Sequence, residues 1–183
     1  MKVPFAFLFL LFTLSTAFAQ TEMVNSEGGY TFKPMNGWRT KFSGSESYVY
    51  APADGNMDPW DEKVEFSVTD GEDIELNDAF EFYIKTDFPS AYARFKLINQ
   101  GAEEINGLQA KWATFTFSAH GTAANAGTGG DSTLSATLQA LFYVIKSGNS
   151  LYLVNGVTEK NLFSKFDPSF RAIIRTFGIK NDQ

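Results

Sequence analysis

Thr133–Gly178 reads TLSATLQALFYVIKSGNSLYLVNGVTEKNLFSKFDPSFRAIIRTFG, and this stretch decides the fold. Leu134, Ala136, Leu138, Ala140, Phe142 and Val144 fall on one face of an extended segment over Thr133–Lys146, and Leu141, Tyr143 and Ile145 fall on the other. A run that alternates at first and then becomes apolar on both sides suits a central strand covered on both faces. Ser147-Gly148-Asn149 turns the chain, and Ser150–Val157 returns as a second strand. Thr158 can cap a short helical turn holding Leu162 and Phe163. Asp167 as cap and Pro168 as first residue then predict a closing helix, with Phe170, Ile173, Ile174 and Phe177 on one side and Gly178 as its end.

Upstream, Tyr30-Thr31-Phe32 alternates as a short strand that stops at Pro34, because proline has no N–H for a ladder. Asn36-Gly37-Trp38 is a turn with an aromatic plug, and Trp38 reads as a lid on the core in preference to a ligand platform. Ser47–Ala51 and Lys63–Thr69 predict two more strands, the latter with Val64, Phe66 and Val68 on one face. Leu76–Asp87 predicts a helix, since Leu76, Ala79, Phe80, Tyr83, Ile84 and Phe88 recur at three- and four-residue steps. Asn77 or Asp78 can cap it, and Pro89 limits its continuation. A β segment reaches Ile105, and Asn106-Gly107 is the strongest hairpin signal in the chain, because a type I′ turn needs positive φ at both central residues. Leu108–Ser118 returns with apolar groups on both sides. His120–Ser132, rich in Gly, Ala, Thr and Asn, reads as a mobile loop. Strands and helices together give an α/β class with a mostly antiparallel sheet.

The first 19 residues read as an export signal: Lys2, an apolar run from Phe5 to Phe12, and Ala17-Phe18-Ala19 as the cleavage signature. The run is too short for a spanning helix of about 20 residues, so no stable membrane insertion is expected after cleavage. Cleavage after Ala19 takes 183 minus 19 to 164 residues, one domain by length. Residues 20–28 then form a flexible N-terminal arm, 29–179 the single domain, and 180–183 a tail. The mature charge is 14 basic against 21 acidic residues, −7, and basic residues form no stripe, which argues against a nucleic-acid partner. Zero cysteines exclude disulfides, thiol catalysis and cysteine–zinc sites. The expected location is periplasmic or secreted.

Ala53–Glu62 is acidic, with Asp54, Asn56, Asp58, Asp61 and Glu62. Asp54, Asn56, Asp58 and Glu65 imitate the first, third, fifth and twelfth places of an EF-hand, but the sixth place is Pro59 where the loop requires glycine. An EF-hand is therefore rejected; a solvated turn is the favoured reading, with a loose calcium contact as the alternative. Gly127-Thr128-Gly129-Gly130 lacks the Lys-Ser/Thr and following helix of a phosphate cradle. His120 is the lone histidine and no partner is placed beside it by sequence. No G-x-S-x-G elbow occurs. These patterns single out no catalytic residue, metal ligand or cofactor.

The run Tyr30-Thr31-Phe32-Lys33-Pro34 with Gly37-Trp38 resembles the opening of PsbP-like domains. Val64–Val68, the helix start at Leu76-Asn77-Asp78, Ile105-Asn106-Gly107-Leu108-Gln109-Ala110, Leu151-Tyr152-Leu153, and Phe166-Asp167-Pro168-Ser169-Phe170 continue the resemblance in order. The family, whose best-known member is a lumenal extrinsic subunit of photosystem II, includes exported bacterial relatives such as the periplasmic DcrB type. The resemblance implies an α/β/α sandwich with helices on both faces, and binding or assembly accessories in place of enzymes. The leading expectation is a non-catalytic exported accessory docking on an envelope or secreted protein through Trp38, Asp54, Asp58, Trp60, Asp61 and Glu62. The alternatives are a carrier of a small hydrophobic ligand, held between sheet and helix under the Gly-rich loop, and a hydrolase using carboxylates or His120.

Overall fold

The turn after Ser147 is the pivot of the sheet. Ser147 pairs with Ser150 across Gly148-Asn149, and Gly148 takes φ 56°, a conformation that costs glycine little. The computed structural model describes residues 20–52, 61–124 and 131–180. In chain order its strands are β1 (Met23–Asn25), β2 (Tyr30–Phe32), β3 (Arg39–Ser43), β4 (Glu46–Tyr50), β5 (Lys63–Asp70), β6 (Lys96–Ile105), β7 (Leu108–Ala124), β8 (Asp131–Ser147), β9 (Ser150–Glu159) and β10 (Gly178–Ile179). The helices are α1 (Leu76–Phe82), α2 (Phe88–Ala91), joined to α1 by a π-helical turn at Tyr83–Asp87, and α3 (Phe163–Ile174).

Seven strands form one sheet in the order β3-β4-β5-β9-β8-β7-β6, and β1-β2-β10 form a small second sheet. Every pairing is antiparallel. The expected α/β class with a mostly antiparallel sheet therefore describes the chain. Asn106 and Gly107 both take positive φ, 49° and 84°, and Ile105 pairs with Leu108, as the type I′ reading requires.

Alternation along the central strands feeds two cores. Leu141, Tyr143, Ile145, Tyr152, Val154, Val64 and Phe66 join Phe163, Phe166, Phe170, Ile173 and Ile174 of α3. Ala113, Phe115, Leu138, Ala140, Phe142, Val144 and Leu151 join Ala79, Phe80, Ile84 and Phe88 of the segment 76–91.

Four expectations need correction. The closing helix begins at Phe163, and Pro168 lies inside it. Asp167 does not cap it but ion-pairs with Arg171 one turn on, both contacts at 3.1 Å. Five apolar side chains buried along α3, each contributing about 1.5–3 kcal/mol, outweigh the roughly 3 kcal/mol of an interior proline. Gly178 does not end the helix, which closes at Ile174 with Arg175 as its C-cap; Gly178 instead pairs with Thr31.

Residues 20–28 are not a loose arm. Met23–Asn25 pairs with Tyr30–Phe32, and Asn25 is 3 % exposed. Its amide donates to the carbonyls of Gly44 and Glu46, both at 3.1 Å, and to Ser47 Oγ at 3.0 Å, while its Oδ1 accepts from Gly28 N at 2.8 Å.

The helical segment starts after Glu75, with no side-chain cap from Asn77 or Asp78, and runs through Pro89 to Ala91. The π-turn at Tyr83–Asp87 precedes Pro89, and Ser90 Oγ donates to the Thr86 carbonyl at 2.7 Å. Finally, the stretch read as a loop from His120 to Ser132 is strand at both ends, since β7 and β8 stay paired out to Ala124 and Asp131.

The ring of Tyr30 lies among Phe32, Phe66, Tyr152 and Phe177, and its hydroxyl contacts Ser47 Oγ at 2.8 Å. Burial raises its pKa from 10.0 to about 12, against the lowering effect of the Ser47 and Asn25 bonds. Burial, followed by the bond to Glu103, also pushes Tyr143 up. A group held neutral in the fold contributes stability below its unfolded pKa and loses it as pH rises through the folded value. Stability is therefore expected to hold up to about pH 9 and fall between about pH 10 and 12. Following phenolate absorbance and circular dichroism together checks this: the buried tyrosines should ionise with unfolding. Full ionisation of every tyrosine near pH 10 with the fold intact would contradict it.

Candidate binding site

The sheet face carrying the second core is only partly covered by residues 76–91. Register places Tyr48 beside Glu65, and Tyr50 beside Lys63, on β4 and β5; Glu65 and Lys63 in turn stand beside Asn155 and Val157 of β9. Past the end of α2, Tyr92 stacks on Phe117 with centroids 4.4 Å apart. Between these two groups a cleft of about 300 Å³ opens, with Tyr92, Phe117 and Leu138 on one side and Tyr50, Lys63 and Glu65 on the other. Asn155 and Val157 lie between them, and Asp61 and Thr158 complete the lining.

Lys63 Nζ stands 3.4 Å from Glu65 and 5.2 Å over the Tyr48 ring, and Arg39 lies 5.8 Å over Tyr50. The Tyr48 hydroxyl donates to Glu46 at 2.5 Å, and that bond, with burial second, raises its pKa to about 12. Burial raises the pKa of Tyr92 above the ordinary 10, helped by the charges of Glu65 and Asp87. Asn155 Oδ1 is buried with no hydrogen-bond partner. Aromatic walls with a few polar groups suit a small polar-aromatic molecule better than a purely apolar one.

The residues singled out by sequence separate into different settings. Trp38 is half-buried and packs edge-on against Phe166 and Phe170 of α3, with centroids 6.3 and 6.1 Å away. This is the lid arrangement. Asp61 is exposed and lines the cleft, whereas Glu62 is half-buried and lies 3.4 Å from Thr158 Oγ1, which donates to it. Asp54, Asp58 and Trp60 lie outside the described residues, as do Asn56 and Pro59 of the rejected calcium pattern. His120 is exposed on β7, its backbone in register with Ser135. Among the described residues, no group of three or more His, Asp or Glu side chains is placed to hold a metal ion.

Sequence reasoning missed the cleft. Its signal was the alternation of Tyr48, Tyr50, Lys63 and Glu65 opposite Val49, Val64 and Phe66, which marks a sheet face no apolar layer covers.

No protein-family model matches the chain, and no curated protein matches it in sequence. Solved structures do. Cyanobacterial PsbP from Synechocystis is similar over 90 % of this chain and 95 % of its own, with TM-score 0.55 and 14 % identity. LpqN from Mycobacterium tuberculosis, described as involved in cell envelope biogenesis, is similar over 91 % of this chain and 88 % of its own, with TM-score 0.52 and 12 % identity. The Ran-binding protein Mog1p of Saccharomyces cerevisiae is similar over 88 % and 96 %, with TM-score 0.54 and 12 % identity. The chain thus has the fold shared by PsbP, LpqN and Mog1p. At these identities the likeness is one of fold.

Proposed function

We propose that the protein is a non-catalytic exported accessory that binds, or helps to assemble, a protein of the cell envelope or secreted space. Likeness to PsbP along nine-tenths of the chain carries this reading, supported by LpqN's link to envelope biogenesis and by the export signature of residues 1–19. The layered description, with helices against both faces of the sheet, belongs to the same reading and is supported by α3 and the segment 76–91 entering separate cores. Among the described residues no helix is long and apolar enough to cross a membrane. Purification from the native host followed by native mass spectrometry tests the reading. A chain beginning at Gln20, recovered in a reproducible complex with one envelope or secreted protein, is the expected result. An unprocessed cytoplasmic chain, or a bare chain in every preparation, would overturn it.

The cleft beside Tyr92 favours a second reading, a carrier of a small ligand. The same spectra would then show a reproducible small added mass, lost in Tyr92→Ala.

A further inference from the structure

A second concavity lies on the other side of the helical segment. It measures about 250 Å³ and has an apolar lining of Ile74, Ala79, Phe82, Tyr83 and Leu151, with Asp70 and Asp78 among its polar residues. Two of its side chains are large, apolar and exposed: Phe82 at 53 % and Ile74 at 41 %. Single exposed apolar residues need no explanation, but two sharing one groove do.

The loop that presents Ile74 is held firmly. Gly71 N donates to the Asn149 carbonyl at 2.7 Å, and Ile74 N donates to the Gly71 carbonyl at 3.1 Å. A Cβ on Gly71 would stand 2.6 Å from Leu151 Cγ, so only glycine allows this approach. Lys146 Nζ donates to the Ile74 carbonyl, and Asp73 takes φ 61°, an uncommon conformation for a residue with a side chain. Ile74 is thus fixed outward on a pinned turn.

The charged residues lining the groove are both acidic, Asp70 and Asp78, and the segment around them is one-signed in sequence. Asp70, Glu72, Asp73, Glu75, Asp78 and Glu81 fall within residues 70–82, which hold no Lys or Arg. Three lysines face the segment and each already has a partner: Lys85 on Glu81, Lys111 on Asn77 and Lys146 on the Ile74 carbonyl. Of these only Lys85 meets a carboxylate, and six carboxylates against three lysines leave the segment around the groove net acidic. A second copy of this chain, of net charge −6, is repelled by such a rim. The volume is below the roughly 300–1,000 Å³ of small-molecule pockets and suits one or two inserted side chains.

We propose that the groove between α1 and the β5–α1 loop docks a basic segment of a partner protein, which inserts an aromatic or aliphatic side chain beside Phe82 and Ile74. This rests on the accessory reading and names the surface and the partner chemistry. The centre supplies a desolvated apolar anchor, and the rim supplies steering and selects positive charge.

The test uses a short lysine-rich peptide with a central Phe-Leu pair, an all-lysine peptide of the same length, and a glutamate-for-lysine version. Titration of isotope-labelled protein, read by NMR, should show saturable shifts centred on Ile74, Phe82 and Leu151 with the first peptide. Phe82→Ser, whose fold is checked by its unchanged remaining spectrum, should weaken binding about tenfold or more. Asp70→Asn with Asp78→Asn should weaken it severalfold, as should raising salt to about 0.5 M. Equal binding of the all-lysine peptide, shifts centred on the Tyr92 cleft, or no saturable shift would overturn the proposal. In the native host, recovery of one complex by wild type and Phe82→Ser alike would sink the groove and leave the accessory reading standing. Absence of a complex with either chain would sink the accessory reading, and the peptide titration would still decide the groove.

Discussion

Asn25→Ala is expected to destabilise the protein by about 3 kcal/mol, lowering the melting temperature by roughly 6–12 °C for a domain of this size. The two amide hydrogens are shared among the carbonyls of Gly44 and Glu46 and the Ser47 hydroxyl, the side-chain oxygen accepts from the Gly28 amide, and the Tyr30 hydroxyl lies 3.3 Å from the amide nitrogen. Ser47 is fully buried, so once the amide is gone its hydroxyl keeps the Tyr30 hydroxyl, 2.8 Å away, but cannot turn to water for a second partner. Each buried polar group left unpaired costs about 1–3 kcal/mol, and alanine orphans more than one. Val24→Ala, one residue earlier and 44 % exposed, should stay within about 0.5 kcal/mol. Thermal and urea unfolding of the two variants separates the possibilities. Equal, negligible effects would mean that residues 20–28 form a dispensable arm after all.

That contrast shows where the sequence is legible and where it is not. The β8–β9 hairpin, the Asn106-Gly107 turn and the Val64/Phe66 face are readable because each is specified locally, by alternation or by a turn that only certain residues can make. β1, β3 and β10 are not. β1 and β10 have three and two residues, and each exists because Tyr30–Phe32 offers it a partner. β3 is exposed at four of its five positions, so it lacks the half-buried alternation that announces a strand. Pro168 and Pro89 look like punctuation in the sequence, whereas burial of the surrounding aromatic residues carries the helix through both. The site divides in the same way. Trp38 as a lid follows from a lone Trp beside a turn, while the cleft joins β4, β5, β7, β8, β9 and Tyr92, residues up to about a hundred positions apart in the sequence.

The second large effect lies where α3 meets the sheet. Gly156 sits in β9 between Val64 of β5 and Leu141 of β8, both of which belong to the core that contains α3. A Cβ at Gly156 would stand 2.8 Å from Phe170 Cγ and Cδ2 and 3.0 Å from its Cβ. Phe170 is completely buried and cannot retreat toward solvent, so the helix itself must move. Gly156→Val should therefore cost at least about 3 kcal/mol, the upper end of ordinary overpacking, and the smaller Gly156→Ala about 1–3 kcal/mol. Phe170→Ala should cost about 3–5 kcal/mol by leaving a cavity over the same spot. The informative measurement is the double variant Gly156→Ala/Phe170→Ala. If the two residues are in direct steric register, the new methyl occupies space that the missing ring vacates. The double variant should then be more stable than the sum of the single losses by about 1–2 kcal/mol. Simple additivity in urea unfolding would mean that Gly156 is needed for its backbone and not for the seat it gives Phe170.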